Sequence, residues 1–513
     1  MSQTNKEQHH PEFTGIRALL WPIHNFELKK FIPLALIMFC LLFNYTVLRD
    51  TKDTLVVNNI GAHAIPYLKG IAVTIAAIAF VIIYSKLTNI LSRQKLFYSI
   101  VTFFLAYFAV FGFVLFPNID AMQPSKEVLD VYHASYPSLS GIIDMVGCWV
   151  YSTFYVMSEI WGSAMIALVF WQFANHIVRF RESKRFYGLF AVIGNVALIF
   201  SGEAIKYCST EIEHLVPKGT DPWLYSIYLL MGFVIIMGVL AMYLYNYLDT
   251  KVLTDKRYFD PEEQAPVKKK KSKPGLGESF KIILQSPELL YIAILIMAYG
   301  VSINLAEVQW KHQLKIYCGG NKPMYNSFMG SYSQITGIFT ILFGWFVGTN
   351  IIRKFSWFSA AVITPAVILI GGGCFFIFTF SAELLTPLIA AFNAAPVAFA
   401  TFLGAGIIII SKGVKYTLFD PTKEMAYIPL DEELKSKGKA AVDVIGGRMG
   451  KAAGGWVQMA LLAIFATKDV VVIAPYAFIT FAVVCVLWIF SVKNLSIKVR
   501  NALKNKDSSS KTA

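Results

Sequence analysis

Apolar segments long enough to cross a bilayer recur along the whole chain, and no other property limits its fold so strongly. Phe31 to Leu48, Leu68 to Tyr84, Phe97 to Phe116, Trp149 to Ala174, Phe186 to Ile205 and Tyr225 to Tyr247 form a first set. Leu289 to Trp310, Phe328 to Val347, Phe358 to Phe380, Leu384 to Ile410, Ala440 to Ala466 and Val470 to Val492 form a second. Most approach or reach the ~20 residues a helix needs to cross ~30 Å of hydrocarbon. The expected fold class is an all-α polytopic membrane protein with about twelve transmembrane helices. The 15% of charged residues against 56% hydrophobic ones agrees, because a soluble chain carries about 25% charged residues.

A polar interval, Asp249 to Ser279, separates the two sets and contains Asp260, Glu262, Glu263 and the basic run Lys268 to Lys271. It predicts a cytoplasmic N-terminal segment (1–30), an N-terminal six-helix bundle (31–248), a basic cytoplasmic linker (249–280), a C-terminal six-helix bundle (281–493) and a cytoplasmic tail (494–513). Two six-helix bundles are the arrangement of major-facilitator-like carriers, an analogy that no strong residue-level repeat between the halves supports. Short cytoplasmic loops hold the excess of Lys and Arg. Arg17, Lys29 and Lys30, then Lys86, Arg93 and Lys95, then Arg179, Arg181, Lys184 and Arg185, fall on alternate loops, joined by Arg353, Lys354, the Lys412 to Lys439 loop and the tail. The intervening loops carry Asp120, Glu127, Asp130, Glu211, Glu213 and Asp221. Both termini are therefore expected in the cytoplasm, and the net charge of +14 reflects this asymmetry and contact with anionic lipid, not nucleic-acid binding.

Met1 to Glu27 are polar and lack a cleavable signal, so the first span is expected to act as its own anchor. The six cysteines have no metal-ligand spacing, and packing is their default reading. Cys208 and Cys318 are expected in outer loops, where a bridge is feasible.

Ionisable residues inside spans carry the chemistry, since an unpaired charge in hydrocarbon costs at least ~2.5 kcal/mol. In the first span Arg49, Lys52 and Asp53 share a helical face, with Tyr45 one turn earlier. The apolar pattern resumes at Leu55, Val56 and Val57, which turns these charges toward a water-filled cavity; the alternative is an interfacial cluster whose cations snorkel to headgroups. In the fourth span Glu159 follows Tyr151 and Tyr155 on a similar face and needs a partner. In the seventh, Asn304, Glu307 and Lys311 fall at i, i+3 and i+7, and Glu307 and Lys311 are placed to satisfy each other.

The eleventh span carries Gly446, Gly450 and Gly454, a strip that lets another helix approach. Arg448 and Lys451 are free to face the cavity as phosphate-binding cations, with Asp443 at the helix entrance. The segment is not a phosphate-binding P-loop: Ile445 stands where glycine is required and Ala452 where Ser or Thr would hold Mg²⁺. No nucleophile, base or metal set marks an enzyme. The acidic and basic residues from Asp420 to Lys439 read first as a solvated loop, with a metal site or gate as the alternative. Tyr45, Tyr151, Phe154, Tyr155, Trp161, Tyr299 and Trp310 lie near the charged faces, where a purine could stack; most aromatics in such a chain are packing or belt residues.

These residues resemble the nucleotide transporters, or ATP:ADP antiporters, of plastids and of intracellular bacteria that draw energy from host cells. The most specific segment is KYTLFDPTKEMAYIPL, Lys415 to Leu430, which looks like that family's signature loop. LRDTKD (Leu48 to Asp53), SEIW (Ser158 to Trp161) and the Gly450-Lys451 pair are also similar, and the resemblance covers roughly Phe13 to Leu495. It implies exchange of ATP for ADP, with or without phosphate, by alternating access and without hydrolysis, in a bacterial inner membrane. It implies functional positions at Lys52, Glu159, Glu307 and Lys451, although the Gly446 to Met449 segment departs from plastid-like patterns. The charged-face reading adds Arg49, Asn304, Lys311, Arg448 and Tyr155 as substrate-binding candidates. No cofactor or metal is expected, ATP and ADP are the implied substrates beside membrane lipid, and a monomer is compatible with the sequence. The alternatives are a proton-coupled nucleotide importer and a membrane protein handling another phosphorylated substrate.

Overall fold

In a computed structural model, the structure describes residues 17, 21–214, 216–217, 219–255, 257–259, 281, 283–381, 395–427, 430 and 439–511. Most of the expected basic linker, the start of the tenth span and the acidic stretch after Leu430 lie outside the described residues. Among the described residues there is no strand. The long helices are α1 (Leu28–Asn59), α2 (Ala64–Ile90) and α3 (Arg93–Leu115). Two short helices, α4 (Lys126–Ser135) and α5 (Ser140–Gly147), follow. Then come α6 (Trp149–Ile177), α7 (Phe180–Thr210), α8 (Pro222–Val252), α9 (Pro287–Tyr317), α10 (Lys322–Lys354), α11 (Trp357–Phe380) and α12 (Pro396–Ala426). The series ends with α13 (Lys439–Ile464) and α14 (Ala474–Lys511). Eleven of these contain a segment long and apolar enough to span a bilayer, and α13, at 26 residues, occupies the position of the twelfth.

Local chemistry sets the helix starts. Asp221, Ser286, Asn321 and Ser356 each accept a hydrogen bond from a backbone N–H of the first turn, and Pro222 and Pro287 occupy the first helical position, where their missing N–H costs nothing. The turn between α9 and α10 needs two left-handed residues and has Gly319 (φ 58°) and Gly320 (φ 75°).

As expected, α1 does not stop at its charges: Leu55, Val56 and Val57 are wholly buried and carry the helix to Asn59. Thr54 near its end meets Asn326 of α10 (2.9 Å), which in turn meets Ser209 of α7 (2.9 Å). At the other end, Lys30 pairs with Glu182 of α7 (2.7 Å) and donates to the Tyr258 carbonyl (2.8 Å), while Lys498 of α14 pairs with Glu288 of α9 (3.0 Å).

Two contacts of small residues bring backbones together. Gly202 of α7 and Gly330 of α10 abut so closely that a Cβ on Gly330 would lie 2.6 Å from the Gly202 carbonyl. On α13, Gly450 and Gly454 take α9 against their own backbone, at Met297, Gly300, Val301 and Asn304. At Gly450 and Gly454 the expected glycine strip thus does pack a helix, as small residues do between membrane helices; the packing of Gly446 and the Asp443 side chain lie outside the described residues.

Some expectations are corrected. All six cysteines are free; Cys208 is buried within α7, not in a loop, and Cys318 caps α9. Lys412 is not in a loop, because α12 carries on through it and through Lys415 to Ala426. The interval expected as a plain outer loop before the fourth span contains α4 and α5, whose Gly141 and Gly147 seat Tyr67 and Leu129.

Candidate substrate site

The charges of α1 meet partners from both halves of the chain. Asp53 lies between two lysines: Lys52 Nζ and Lys311 Nζ each approach it at 2.8 Å, and all three side chains are at most 5% exposed. Lys52 also reaches Glu159 of α6 (3.1 Å) and sits 3.9 Å from the centre of the Tyr155 ring. A turn earlier, Arg49 Nε donates to Asp50 Oδ1 (2.8 Å) and its terminal nitrogen to Ser333 Oγ of α10 (2.6 Å), and that hydroxyl donates on to Asp50 Oδ2 (2.5 Å). This burial rules out headgroup snorkelling for Lys52, and the hydrogen-bond lengths are those of charge-assisted bonds.

Glu307 does not pair with Lys311, its i+4 neighbour; the lysine is turned to Asp53. Instead Glu307 lies between Lys412 of α12 (3.4 Å) and Lys69 of α2 (3.8 Å). Lys412 Nζ donates to the Tyr332 hydroxyl at 2.6 Å. These side chains are 12–17% exposed, more open than the Asp53 group. Lys451, midway along α13, is exposed, and its electrostatic neighbours are Tyr45, Glu159, Glu307 and Tyr416. An exposed lysine amid charged groups from inside the bundle faces an aqueous lumen, not lipid.

The structure therefore gathers Arg49, Lys52, Tyr155, Glu159, Glu307, Lys311 and Lys451. Asn304 belongs to the scaffold: its Nδ2 donates to the Lys451 carbonyl (2.7 Å), and it fastens α13 to α9. The Arg448 side chain lies outside the described residues. Tyr155 is wholly buried beneath Lys52, so its ring serves the lysine and leaves no face for a base. Phe154 and Trp161 are engaged with Phe108 and other core rings, and Trp310 with Tyr332. Tyr299 stacks on Phe419 and lies 5.6 Å from Lys415 Nζ.

Two lysines of this site, Lys69 and Lys412, are not among the residues that the charged-face pattern points to. Lys69 is the second residue of the span expected from Leu68, and Lys412 falls in the loop expected after Ile410. The available signal was that each is flanked by apolar turns on both sides. Among the described residues no His, Cys, Asp or Glu cluster has metal-binding geometry.

Hydrogen bonds and ion pairs between first-half and second-half helices concentrate toward the end where α1 finishes. They include Arg49–Ser333, Thr54–Asn326, Asp53–Lys311 and Trp456 Nε1 to the Gly70 carbonyl (2.9 Å). At that end the loop before α14 supplies Lys468, which meets Asp144 of α5 at 3.0 Å; Asp144 also receives His63 (2.8 Å) and His133 (3.0 Å). Burial opposes ionisation of Asp144, but His63 and Lys468 outweigh it and hold the carboxyl below its ordinary range.

A helical bundle with paired charges from both halves at its centre defines a polytopic membrane transporter. Solved structures with this fold include a bacterial homologue of the iron transporter ferroportin in an inward-facing state (TM-score 0.55, 13% identity, covering 91% of this chain and 100% of that one). A D-xylose-proton symporter is similar (TM-score 0.54, 11% identity, 90% and 96%). The fold is thus major-facilitator-like. The family model described as TLC ATP/ADP transporter matches residues 6–499. The ADP,ATP carrier protein 1 of Chlamydia pneumoniae is 43% identical over 500 residues, 96% of each chain. That of Rickettsia bellii is 41% identical over 506 residues, 98% of this chain and 99% of the other. The chloroplastic ADP,ATP carrier protein 1 of Arabidopsis thaliana is 40% identical over 472 residues, 91% and 73%. The chain belongs to the TLC ATP/ADP transporter family, whose members are transporters and not enzymes.

Proposed function

We propose that the protein exchanges ATP for ADP across a bacterial inner membrane by alternating access, without hydrolysis, with both termini in the cytoplasm. The observation that carries this reading is the excess of cations in the site. Among the described residues, the carboxylates that Arg49, Lys52, Lys69, Lys311, Lys412 and Lys451 meet are Asp50, Asp53, Glu159 and Glu307. Charges within a membrane are costly unless paired or hydrated, so a surplus of positive charge suits a polyanion that completes the pairing. The relatives named as ADP,ATP carriers specify the polyanion as ATP and ADP. Substrate contacts are assigned to Lys52, Glu159, Glu307 and Lys451, with Arg49 and Lys311 beside them.

The units 31–248 and 281–493 are taken to rock about this site. The seams closed at the far end of α1 fit a state sealed on the outer side and entered from the cytoplasm. The basic residues Lys29, Lys86, Arg93, Lys95 and Arg185, placed around the start of α1 and the turns level with it, fit that orientation.

Liposomes loaded with ADP and challenged with labelled ATP test the function. Uptake into loaded vesicles and not into empty ones is expected; equal uptake into empty vesicles driven by a proton gradient would establish the proton-coupled importer instead, and absence of nucleotide flux would remove the assignment.

A further inference from the structure

The site holds two kinds of carboxylate. Asp53 is bonded at 2.8 Å to each of two lysines and nearly closed to solvent. Glu307 also lies between two lysines, but at 3.4 and 3.8 Å, beyond the ~2.7–2.9 Å of a charge-assisted hydrogen bond. Lys412 gives its short bond to Tyr332 instead. Glu307 thus meets its two lysines by longer contacts than those that hold Asp53.

The position of this group matters. Lys69 comes six residues after His63 of the Asp144 cluster, about 9 Å along a helix, so it stands near the closed end of the bundle. It also lies on the seam between halves: its neighbour Gly70 accepts from Trp456 of α13, and a Cβ on Gly455 would meet the Pro66 carbonyl at 3.0 Å. Lys69 sits in a π-helical turn, Leu68–Ala72, and Lys412 just before another, Lys415–Phe419; such turns are frequent at functional sites. A polyanion that entered from the opposite end with its phosphates leading would carry its last phosphate toward this end.

Resting on the nucleotide-exchange reading, we propose that Lys69 and Lys412 form a subsite for the third phosphate of ATP, held by Glu307 when the nucleotide is ADP or absent. A phosphate presents three oxygens where the carboxylate presents two, and it can bond Lys69 of one half and Lys412 of the other at once. ATP then links the halves through this pair, while ADP leaves Glu307 in place. Glu307 is the competitor that returns the lysines to the empty state. The two lysines set the discrimination between tri- and diphosphate.

The test is equilibrium binding of ATP and of ADP to the purified full chain and to the K69Q, K412Q and E307Q variants, each checked for thermal stability in detergent. Loss of a hydrogen bond to a charged group predicts ATP weakened by about tenfold or more in K69Q and K412Q, with ADP changed by less than about twofold, so the ATP:ADP affinity ratio falls. In E307Q, ATP binds more tightly, while exchange slows because the lysines are no longer reset. Equal loss of ATP and ADP in the lysine variants, or no loss of either, overturns the proposal. Where a lysine variant does not fold, E307Q decides, and unchanged or weaker ATP binding overturns it. Inorganic phosphate that tightens ADP binding while the variants keep the wild-type ATP:ADP ratio would assign the subsite to free phosphate and overturn the nucleotide subsite. Wild-type protein that binds neither nucleotide refutes the exchange reading itself, a different result from any of these.

Discussion

Lys311 of α9 and Asp53 of α1 bind each other at 2.8 Å across the seam between the two halves of the chain, although Glu307 lies one turn from Lys311 on its own helix. Both ends of this pair are buried, so the bond is a tie between halves and not a surface decoration. Its loss exposes the general rule that breaking a buried pair costs more than the pair contributes, because the remaining charge is left without compensation.

That rule predicts unequal effects for two substitutions. D53N leaves Lys52 and Lys311 facing an uncharged group and is expected to destabilise the protein by about 3–5 kcal/mol. K311M leaves Asp53 its second lysine, Lys52, and costs less. Thermal unfolding in detergent measures both, and the D53N/K311M double variant should be milder than the two added together. Strict additivity would mean that the pair is not coupled.

The carbonyl of Lys451 receives the Asn304 amide (2.7 Å), and the Asn304 Oδ1 is buried with no partner among the described residues. N304A is therefore expected to lower stability by about 0.6 kcal/mol, the average for hydrogen bonds between membrane helices, and by no more than about 1.7 kcal/mol, with nucleotide affinity little changed. A large rise in KM with stability unchanged would instead place Asn304 against the substrate.

The Gly202–Gly330 contact permits no side chain without displacing a helix. G330L is expected to separate α7 from α10 and to cost about 1–3 kcal/mol, as overpacking does. A fall in Tm with reduced exchange is the expected reading. Wild-type exchange at wild-type stability would show that this seam is looser than its backbone separation implies.

Asp144 meets His63, His133 and Lys468 together; burial pushes its pKa up, but His63 and Lys468 outweigh it and hold the pKa below the ordinary 3.8. A carboxylate with a lowered native pKa stabilises the fold fully above its unfolded pKa and loses that contribution as pH falls through the native value. D144N should therefore melt below wild type at neutral pH, with the gap persisting at about pH 5 and closing only as pH drops past the ordinary carboxylate value. Closure of the gap near neutral pH would assign the effect to another group.

Much of this was legible from residue order. The spans followed from apolar length, because a helix must meet its own backbone hydrogen bonds in hydrocarbon. Resumption of the apolar pattern at Leu55 placed Arg49 and Lys52 within α1. Pairing was less legible: i+4 spacing put Glu307 beside Lys311, but a partner from another helix bound each of them. Apolar runs end near Lys412, which makes it look like a loop residue, and the helix nonetheless continues. Cys208 was placed outside the bundle for the same reason.

The sequence by itself determined that the chain is a membrane-embedded helical bundle with charges on α1, α6, α9 and α13, since hydrocarbon thickness and the cost of charge act on each segment separately. Only the tertiary structure decided which charge meets which. Asp53 took Lys311, Glu307 took Lys69 and Lys412, and Asn304 went to a backbone, because buried charges are satisfied in three dimensions by helices that packing brings together, at distances no linear spacing encodes.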